Sequence, residues 1–277
     1  HSAFGLQDWG FYDFLLRADY AAPPEFAQAG SDGLATAWEV SSDRTTLTFT
    51  IRTDANFNCS EGGQVTAHDV AYSFNESMSE GTKSTRGPGI KAWVDRWEAV
   101  DDTTVIAHLI EGKLDPTWAF AVGNHGGGSI PIVSKKLADL GGDKDITTPC
   151  GSGPFHITKW TSEEEVVAVS VADNYRAKPD MIDELRIVQI AETNAKIAAL
   201  KTGEVHMANI PLKFIGDVND DIDGSWLQLL GQYQAQIVYM SGNFWAKRAY
   251  EFEDEADIFP REGMKADSDH PWIGNPD

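Results

Sequence analysis

Polar and apolar residues alternate over short stretches in the first half of the chain, a pattern typical of β-strands that bury one face. Residues 38–52 read WEVSSDRTTLTFTIR, where a Ser-Ser-Asp-Arg turn separates two such stretches. Residues 97–110 read WEAVDDTTVIAHLI and have the same form around an Asp-Asp turn. Each segment predicts a β-hairpin.

Apolar residues at helical spacing follow Thr66, with Val70 and Phe74 on the apolar stripe. Thr66 suits the N-cap of such a helix, and Asp69 stands three residues later, where a capping box has Glu or Gln. The pattern predicts a helix of about ten residues. A shorter helix is predicted within residues 130–140, opening at Pro131.

The second half of the chain returns to strand patterns. We predict strands at residues 155–160, 165–171 and 184–190, followed by a helix that Thr193 caps and Gly203 ends. The residues expected on the buried side of this helix are Ile197 and Leu200. Residues 232–243 are a further strand candidate.

Charge and composition narrow the class of protein. The chain has 43 acidic residues against 22 Lys and Arg, a formal net charge of -21. This charge repels phosphate backbones, so we expect no nucleic-acid partner. A hydrophobic content of 42% is ample for a buried core, and no apolar run is long enough to predict a membrane span.

Two chemical motifs fail when their partners are sought. Residues 125–128 (His-Gly-Gly-Gly) copy an oxyanion-hole motif of some lipases, but the chain has no Gly-x-Ser-x-Gly nucleophile motif. Residues 217–224 hint at a calcium loop, but Ile222 stands where that loop needs glycine and Gln228 where it needs glutamate. The seven histidines lack zinc-site spacing, and Gly-rich phosphate loops are absent. We therefore predict no catalytic residue, no metal and no cofactor.

Three segments share their order and spacing with one protein family. They lie within residues 33–74, 149–155 and 174–205. The first contains Leu-Ala-Thr-Ala-Trp and Thr-Ala-His-Asp-Val-Ala-Tyr-Ser-Phe, the second is Pro-Cys-Gly-Ser-Gly-Pro-Phe, and the third runs from Asn-Tyr through Lys-Pro to Ala-Leu-Lys-Thr-Gly-Glu-Val. Together they resemble the family 5 extracellular solute-binding proteins, which include the oligopeptide-, dipeptide- and nickel-binding proteins of ABC importers. Cys59, Cys150 and His206 depart from the usual residues of that family.

The resemblance implies a mixed α/β (α+β) fold, a class II lobe of the periplasmic-binding-protein type with a β-rich inserted subdomain. Residues 1–20 and 151–277 would form the core subdomain, and residues 21–150 the insertion. Residues 249–277 would be an acidic linker, since nine acids and only two bases stand between positions 251 and 277. Family members are nearly twice as long, so the second lobe is expected beyond Asp277.

The resemblance also implies a function without bond-making chemistry. A peptide or similar small solute would be captured between two lobes and delivered to the permease subunits of an ABC importer. The alternatives are a binding lobe recruited to sensing or surface adhesion and, third, a hydrolase. The expected location is the periplasm or the cell surface, with any secretory leader and lipid-anchor cysteine upstream of His1.

Three segments fall near the ligand-contacting parts of that family. One is at the start of the chain, one is the glycine-rich loop and one is the late strand candidate. The predicted contacts are His1, Ser2, Ala3, Phe4, Gly5, Asn124, His125, Gly126, Gln234, Ala235, Gln236 and Ile237.

Cys59 and Cys150 are the only two cysteines. By count alone they fit either one disulfide or two buried thiols. In the oxidising compartment that the resemblance implies, we predict that they are bonded to each other and close a loop of about ninety residues.

Overall fold

The computed structural model describes residues 10–18, 29–30, 33–115, 118–123, 130–141 and 150–214, together with 216 and 218. The chain divides into two units, His1–Ser225 and Trp226–Asp277. The second unit lies outside the described residues, as do the predicted strand at 232–243 and the predicted linker at 249–277.

The described strands form three antiparallel sheets. The strands are β1 (Arg17–Ala18), β2 (Ala29–Gly30), β3 (Ala35–Val40), β4 (Thr46–Ile51), β5 (Val94–Ala99), β6 (Thr104–Leu109), β7 (Phe155–Thr161), β8 (Glu165–Ser170) and β9 (Glu184–Val188). The helices are α1 (Ala67–Ser77), α2 (Gly87–Lys91), α3 (Trp118–Ala121), α4 (Lys135–Asp139) and α5 (Thr193–Thr202), with a 3-10 turn at Leu212–Phe214.

The first large sheet has four strands in the order β3-β4-β6-β5 and contains both predicted hairpins. Strand β4 pairs with β6 from Thr46 opposite His108 to Thr50 opposite Thr104. Alternate residues of β4 and β6 point into the core, so the period-two pattern of the sequence is the buried face of this sheet. The Trp97 ring stacks there on two phenylalanines. Its centroid is 5.7 Å from that of Phe49 and 4.1 Å from that of Phe74.

Helix α1 begins where its cap predicts. Thr66 is the N-cap, and the Asp69 carboxylate accepts hydrogen bonds from the Thr66 backbone N and hydroxyl, each at 2.8 Å. The other oxygen of Asp69 accepts from the backbone N of Lys135 at 2.8 Å. One buried carboxylate therefore fixes the start of α1 and the position of α4.

The helix predicted within residues 130–140 is shorter than expected. It begins at Lys135, after the N-cap Ser134, because the preceding residues run extended. The backbone N of Ile132 donates to the carbonyl of Asp13 at 2.9 Å, and the backbone N of Val133 donates to Ser73 Oγ at 3.0 Å. These tertiary hydrogen bonds replace those that a helix would make.

The second large sheet, β7-β8-β9, contains the three strands predicted in the second half. Val166 and Ala168 on β8 lie opposite Ile187 and Leu185 on β9, so these four residues share one face of the sheet. Phe11, Ile157 and Ala168 are the buried centre of this small core.

Helix α5 agrees with its prediction in extent but not in its cap. The N-cap is Glu192, not Thr193, and it makes no side-chain capping hydrogen bond. Ile197 is buried as predicted, whereas Ala199 is buried in place of Leu200, which is half-buried. Gly203 ends the helix with φ 74°, a left-handed conformation that suits glycine.

The larger core lies under the four-stranded sheet. It contains buried residues from Leu15 to Cys150, with Tyr175 packed against it. Short elements such as β1, β2 and α3 escaped the sequence patterns, because two to four residues carry no readable period. In the part of the chain that is described, no helix is long and apolar enough to cross a membrane.

Candidate functional site

The segment from Gly10 to Ala18 is the point where the two sheets and the glycine motif meet. Its carbonyls accept hydrogen bonds from both sides along its length. On the side of the three-stranded sheet, the backbone N of Phe155 donates to Gly10 at 3.3 Å and that of Gly153 donates to Phe11 at 3.1 Å. The backbone N of Ile132 donates to Asp13 at 2.9 Å. Beside the four-stranded sheet, Leu34 donates to Phe14 at 3.0 Å and Ala35 donates to Leu15 at 2.9 Å. Leu16 also forms a parallel bridge with Gly123. Backbone from four distant regions thus surrounds this segment.

The Gly-Ser-Gly-Pro stretch packs directly on the backbone of that segment. A Cβ placed on Gly151 would overlap the carbonyl oxygen of Phe11, and one on Gly153 would overlap that of Gly10. The motif residues are glycines because no side chain fits between the two backbones.

Two asparagine side chains hold this stretch in place. Asn58 Nδ2 donates to the carbonyl of Gly153 at 2.7 Å. Asn174 Nδ2 donates to the carbonyls of Ser152 and Gly153, at 2.9 and 3.1 Å. The Asn-Tyr and Gly-Ser-Gly motifs therefore form one structural junction, with their polar groups turned toward the protein itself.

A buried ion pair lies beneath the junction. Arg176 Nη2 is 2.8 Å from Asp13 Oδ1, and the Asp13 side chain is fully buried. The angle does not make a well-formed hydrogen bond, so the contact is electrostatic. Burial raises the pKa of Asp13, while Arg176, the hydroxyl of Tyr175 and Arg17 act in the opposite direction.

Tyr175 connects this pair to the four-stranded sheet. The guanidinium of Arg52, at the end of β4, lies 3.4 Å from the centroid of the Tyr175 ring. Arg52 also binds Asp54 through Nε and Nη2, at 2.6 and 3.1 Å, and donates from Nη1 to the carbonyl of Gly33 at 3.3 Å. Burial raises the pKa of the Tyr175 hydroxyl and, to about 12, that of Tyr12.

A disulfide joins two of the loops at the junction. Cys59 and Cys150 are bonded in the structure, with their Cα atoms 5.4 Å apart, as the sequence analysis predicted. The backbone N of Asn58 donates to the carbonyl of Gly151 at 2.8 Å, so the bond joins two loops that already touch.

An open groove of about 500 Å³ lies beside the disulfide loop, between the start of α1 and α4. It is lined by Gly62, Gly63, Gln64, Thr66, His68, Asp69, Lys135, Lys136, Asp139 and Leu140. Its charged rim is internally paired: Lys135 Nζ lies 2.6 Å from Asp139, and Lys136 Nζ lies 3.9 Å from Glu61. The Asp69 carboxylate already accepts hydrogen bonds from Thr66 and Lys135, at the starts of α1 and α4. The groove therefore offers few polar groups that could bind a ligand.

All twelve predicted ligand contacts lie outside the described residues. Two of the three segments lie within a few residues, in sequence, of described positions at the junction: the carbonyl of Gly10 accepts a hydrogen bond from the backbone N of Phe155, and Gly123 bridges Leu16. Sequence reasoning missed Asp13, Arg52 and Arg176. Arg176 had a visible signal, since it follows the Asn-Tyr motif directly, whereas nothing local marks Asp13.

Within the described ranges, no group of His, Cys, Asp and Glu residues is arranged to hold a metal ion. The described polar residues at the junction interact with one another, through the Asn58 and Asn174 hydrogen bonds and the Asp13–Arg176 pair.

Comparison with protein-family models gives one match. The model described as "Bacterial extracellular solute-binding proteins, family 5 Middle" matches residues 31–250. Among curated proteins, the dipeptide-binding protein DppE of Bacillus subtilis is 24% identical over 250 residues, covering 84% of this chain and 42% of DppE.

Solved structures show the same likeness. The periplasmic binding protein DppA from Helicobacter pylori, in complex with the peptide STSA, has a TM-score of 0.62 and 24% identity, covering 76% of this chain and 43% of DppA. The binding protein MoaA from A. tumefaciens, in complex with mannopinic acid, has a TM-score of 0.68 and 24% identity, covering 80% and 44%.

The predicted mixed α/β fold of the periplasmic-binding-protein type is confirmed by these likenesses. The chain spans less than half the length of these relatives. Since the family model covers most of the chain, this chain belongs to the family 5 bacterial extracellular solute-binding proteins.

Proposed function

We propose that this chain is part of the solute-binding component of an ABC import system. The protein captures a peptide or a similar small solute outside the cytoplasm and delivers it to the membrane permease. The observation that carries this proposal is the family match over residues 31–250. The relatives named above bind dipeptides, a peptide or mannopinic acid.

The mechanism we propose is capture between two lobes, without bond making or breaking. Ligand burial on both sides favours a closed state, which the permease recognises. The described part of the chain supports this role by its packing: its motif residues form a junction of close backbone contacts that can serve as one wall of the cleft. The protein would work in the periplasm or be held at the cell surface by a lipid anchor.

We also propose a division of the chain. Residues 1–20 and 151–277 form a core subdomain, and residues 21–150 form a β-rich insertion. The separate cores support this division, since Phe11, Ile157 and Ala168 pack together apart from the core of the four-stranded sheet.

The ligand contacts proposed here are the three segments predicted from the sequence. Their continuity with Gly10 and Gly123 at the junction supports the first two. Backbone groups of extended segments can bind a peptide as an added strand, which explains how one site accepts many side chains.

The test is ligand capture by the complete protein that carries this chain. The protein is unfolded, dialysed and refolded to remove bound solute, and then titrated with a peptide mixture in native mass spectrometry. We expect one peptide per molecule, unchanged in mass after release. Retention of no peptide or other small solute, or release of cleaved peptide, would contradict the proposal.

Variants locate the site within this experiment. His125→Ala and Gln236→Ala should each lower peptide affinity about tenfold. Glu80→Ala, at an exposed position near the end of α1, should leave it unchanged. Equal affinity in all four proteins would remove these segments from the site while leaving solute capture itself intact.

A further inference from the structure

Three segments far apart in sequence meet at Asp13. Arg176 is paired with it at 2.8 Å, Tyr175 acts on its pKa, and Arg52 covers the Tyr175 ring at 3.4 Å. Arg176 is only 12% exposed, and Asp13 is not exposed at all. Both charges have therefore been taken out of water and depend on each other.

Asp13 stands between the two cores. Phe11, two residues before it, belongs to the small core of the three-stranded sheet. Leu15, two residues after it, belongs to the large core of the four-stranded sheet. Among the described strands, none of one large sheet pairs with a strand of the other. The connection between the sheets therefore depends on side chains and loops at this junction.

The other contacts across the junction do not replace the connection that these charged residues make. The disulfide and the Asn58 hydrogen bonds join loop to loop. Arg52 is anchored to Asp54 and Gly33, at the end of β4, while Tyr175 and Arg176 follow Asn174, whose side chain is anchored to Ser152 in the glycine motif. The stacked Arg52 and Tyr175 connect those two anchored groups.

We infer that the Asp13–Arg176 pair, with Arg52 stacked on Tyr175 beside it, couples the two large sheets, so that they unfold and refold as one cooperative unit. We call this cluster the joint. Removal of the Asp13 charge leaves the Arg176 guanidinium buried without a partner, and this strain falls on the boundary between the sheets. The joint acts on the framework itself, so it does not depend on the proposed ligand.

Hydrogen exchange followed by mass spectrometry separates a joint from ordinary stabilisation. With the disulfide intact, the slowest amides of β4 and β8 in the unaltered chain should exchange through one common opening, with protection that agrees within about threefold. In Asp13→Asn, protection of β8 should fall at least about tenfold further than that of β4, because the smaller core opens by itself.

Two further variants complete the test. Asp139→Asn breaks an ion pair whose carboxylate is 61% exposed and should change neither sheet. Asp13→Asn combined with Arg176→Met leaves no unpaired buried charge but removes the joint, so it should recover part of the lost stability while β8 still exchanges at least about threefold faster relative to β4 than in the unaltered chain.

Arg52→Lys covers the case in which Asp13→Asn does not fold. Lysine keeps the charge but lacks the planar group that stacks on Tyr175. We expect a gap of about threefold to fivefold between the sheets in this variant. Equal loss of protection in both sheets, or no loss in either, would overturn the inference and leave the cluster as part of one undivided core.

Discussion

Gly151 and Gly153 explain in steric terms why a short motif identifies this family. Each stands where the backbone of the Gly10–Phe11 segment approaches so closely that a Cβ would overlap a carbonyl oxygen. Glycine is therefore required at both motif positions by the lack of space for a side chain. Asn58 and Asn174 donate the hydrogen bonds that hold the motif in place.

Gly151→Ala should destabilise the fold by about 2–4 kcal/mol, because two backbones must move apart. Gly89→Ala is the matched control, since a Cβ at that position meets nothing within 4 Å. It should be neutral or slightly stabilising, through the smaller entropy of the unfolded chain. Chemical denaturation of both variants gives the measurement, and an equal effect of the two changes would refute the steric interpretation.

Residues whose partners are distant could not be assigned from the sequence. Asp13 and Arg176 form their pair across more than half of the chain, and neither belongs to a periodic pattern. The Cys59–Cys150 bond could be predicted because the resemblance implies an oxidising compartment and two cysteines allow only one intramolecular pairing.

At the scale of elements, the two hairpins of the four-stranded sheet have the same kind of turn, in which an aspartate side chain accepts hydrogen bonds from nearby residues. Asp43 Oδ1 accepts from the Thr45 backbone N at 3.1 Å and from the Ser41 hydroxyl at 2.6 Å. Asp101 Oδ1 accepts from the backbone N of Thr103 and of Thr104, both at 2.7 Å. In each turn an ionised carboxylate replaces backbone partners that the strands cannot provide.

These turns should make the sheet sensitive to acid. Hydrogen bonds from Thr103 lower the pKa of Asp101, and those from Ser41 and Thr45 lower the pKa of Asp43. Their stabilisation is complete above the unfolded pKa of about 3.9 and is lost as pH falls through the lower folded value.

Thermal unfolding of Asp101→Ala and the unaltered chain, between about pH 6 and pH 2.5, tests this. The variant should melt lower at pH 6 and lose less of its melting temperature on acidification. Asp180→Ala, at an exposed loop position, is the control. A constant difference between the curves at every pH would contradict the role of the ionised carboxylate.

The same elements show what local patterns can and cannot predict. Both hairpins and α1 were predicted because alternation, turn residues and a capping pair lie within a few residues of each other. The start of α4 was wrong because Ile132 bonds to Asp13, which is distant in sequence. The cap of α5 was wrong because Thr193 had the right residue type one position too late.

For the whole molecule, the Cys59–Cys150 bond closes a loop with a sequence separation of 91. On the chain-entropy model, closing such a loop contributes about 4–5 kcal/mol to the free energy of unfolding. Reduction should therefore lower the denaturant midpoint strongly without changing the folded secondary structure. The Cys59→Ser/Cys150→Ser variant is the control, since it should melt like the reduced chain and ignore reductant. Two alkylated thiols in the denatured, unreduced protein would show that no bond forms.

The net charge of -21 should make stability depend on salt. Repulsion among like charges weakens the compact state, and ions screen it. Raising NaCl from about 0.02 M to 1 M at pH 7 should increase the melting temperature by about 5 °C or more. The same change near the sequence pI of 4.6, where net charge is small, serves as the control. An equal increase at both pH values would assign the effect to general salting-out.

The distant partners of the Gly10–Ala18 segment have a consequence for folding during biosynthesis. Its partners include Gly123, Ile132, Gly153 and Arg176, all of which leave the ribosome more than a hundred residues later. The fold around this segment therefore cannot close until residues as late as Arg176 have left the ribosome. A nascent chain that stays open until its second half emerges remains accessible to chaperones and translocation machinery, so delayed closure and passage across a membrane are compatible in this protein.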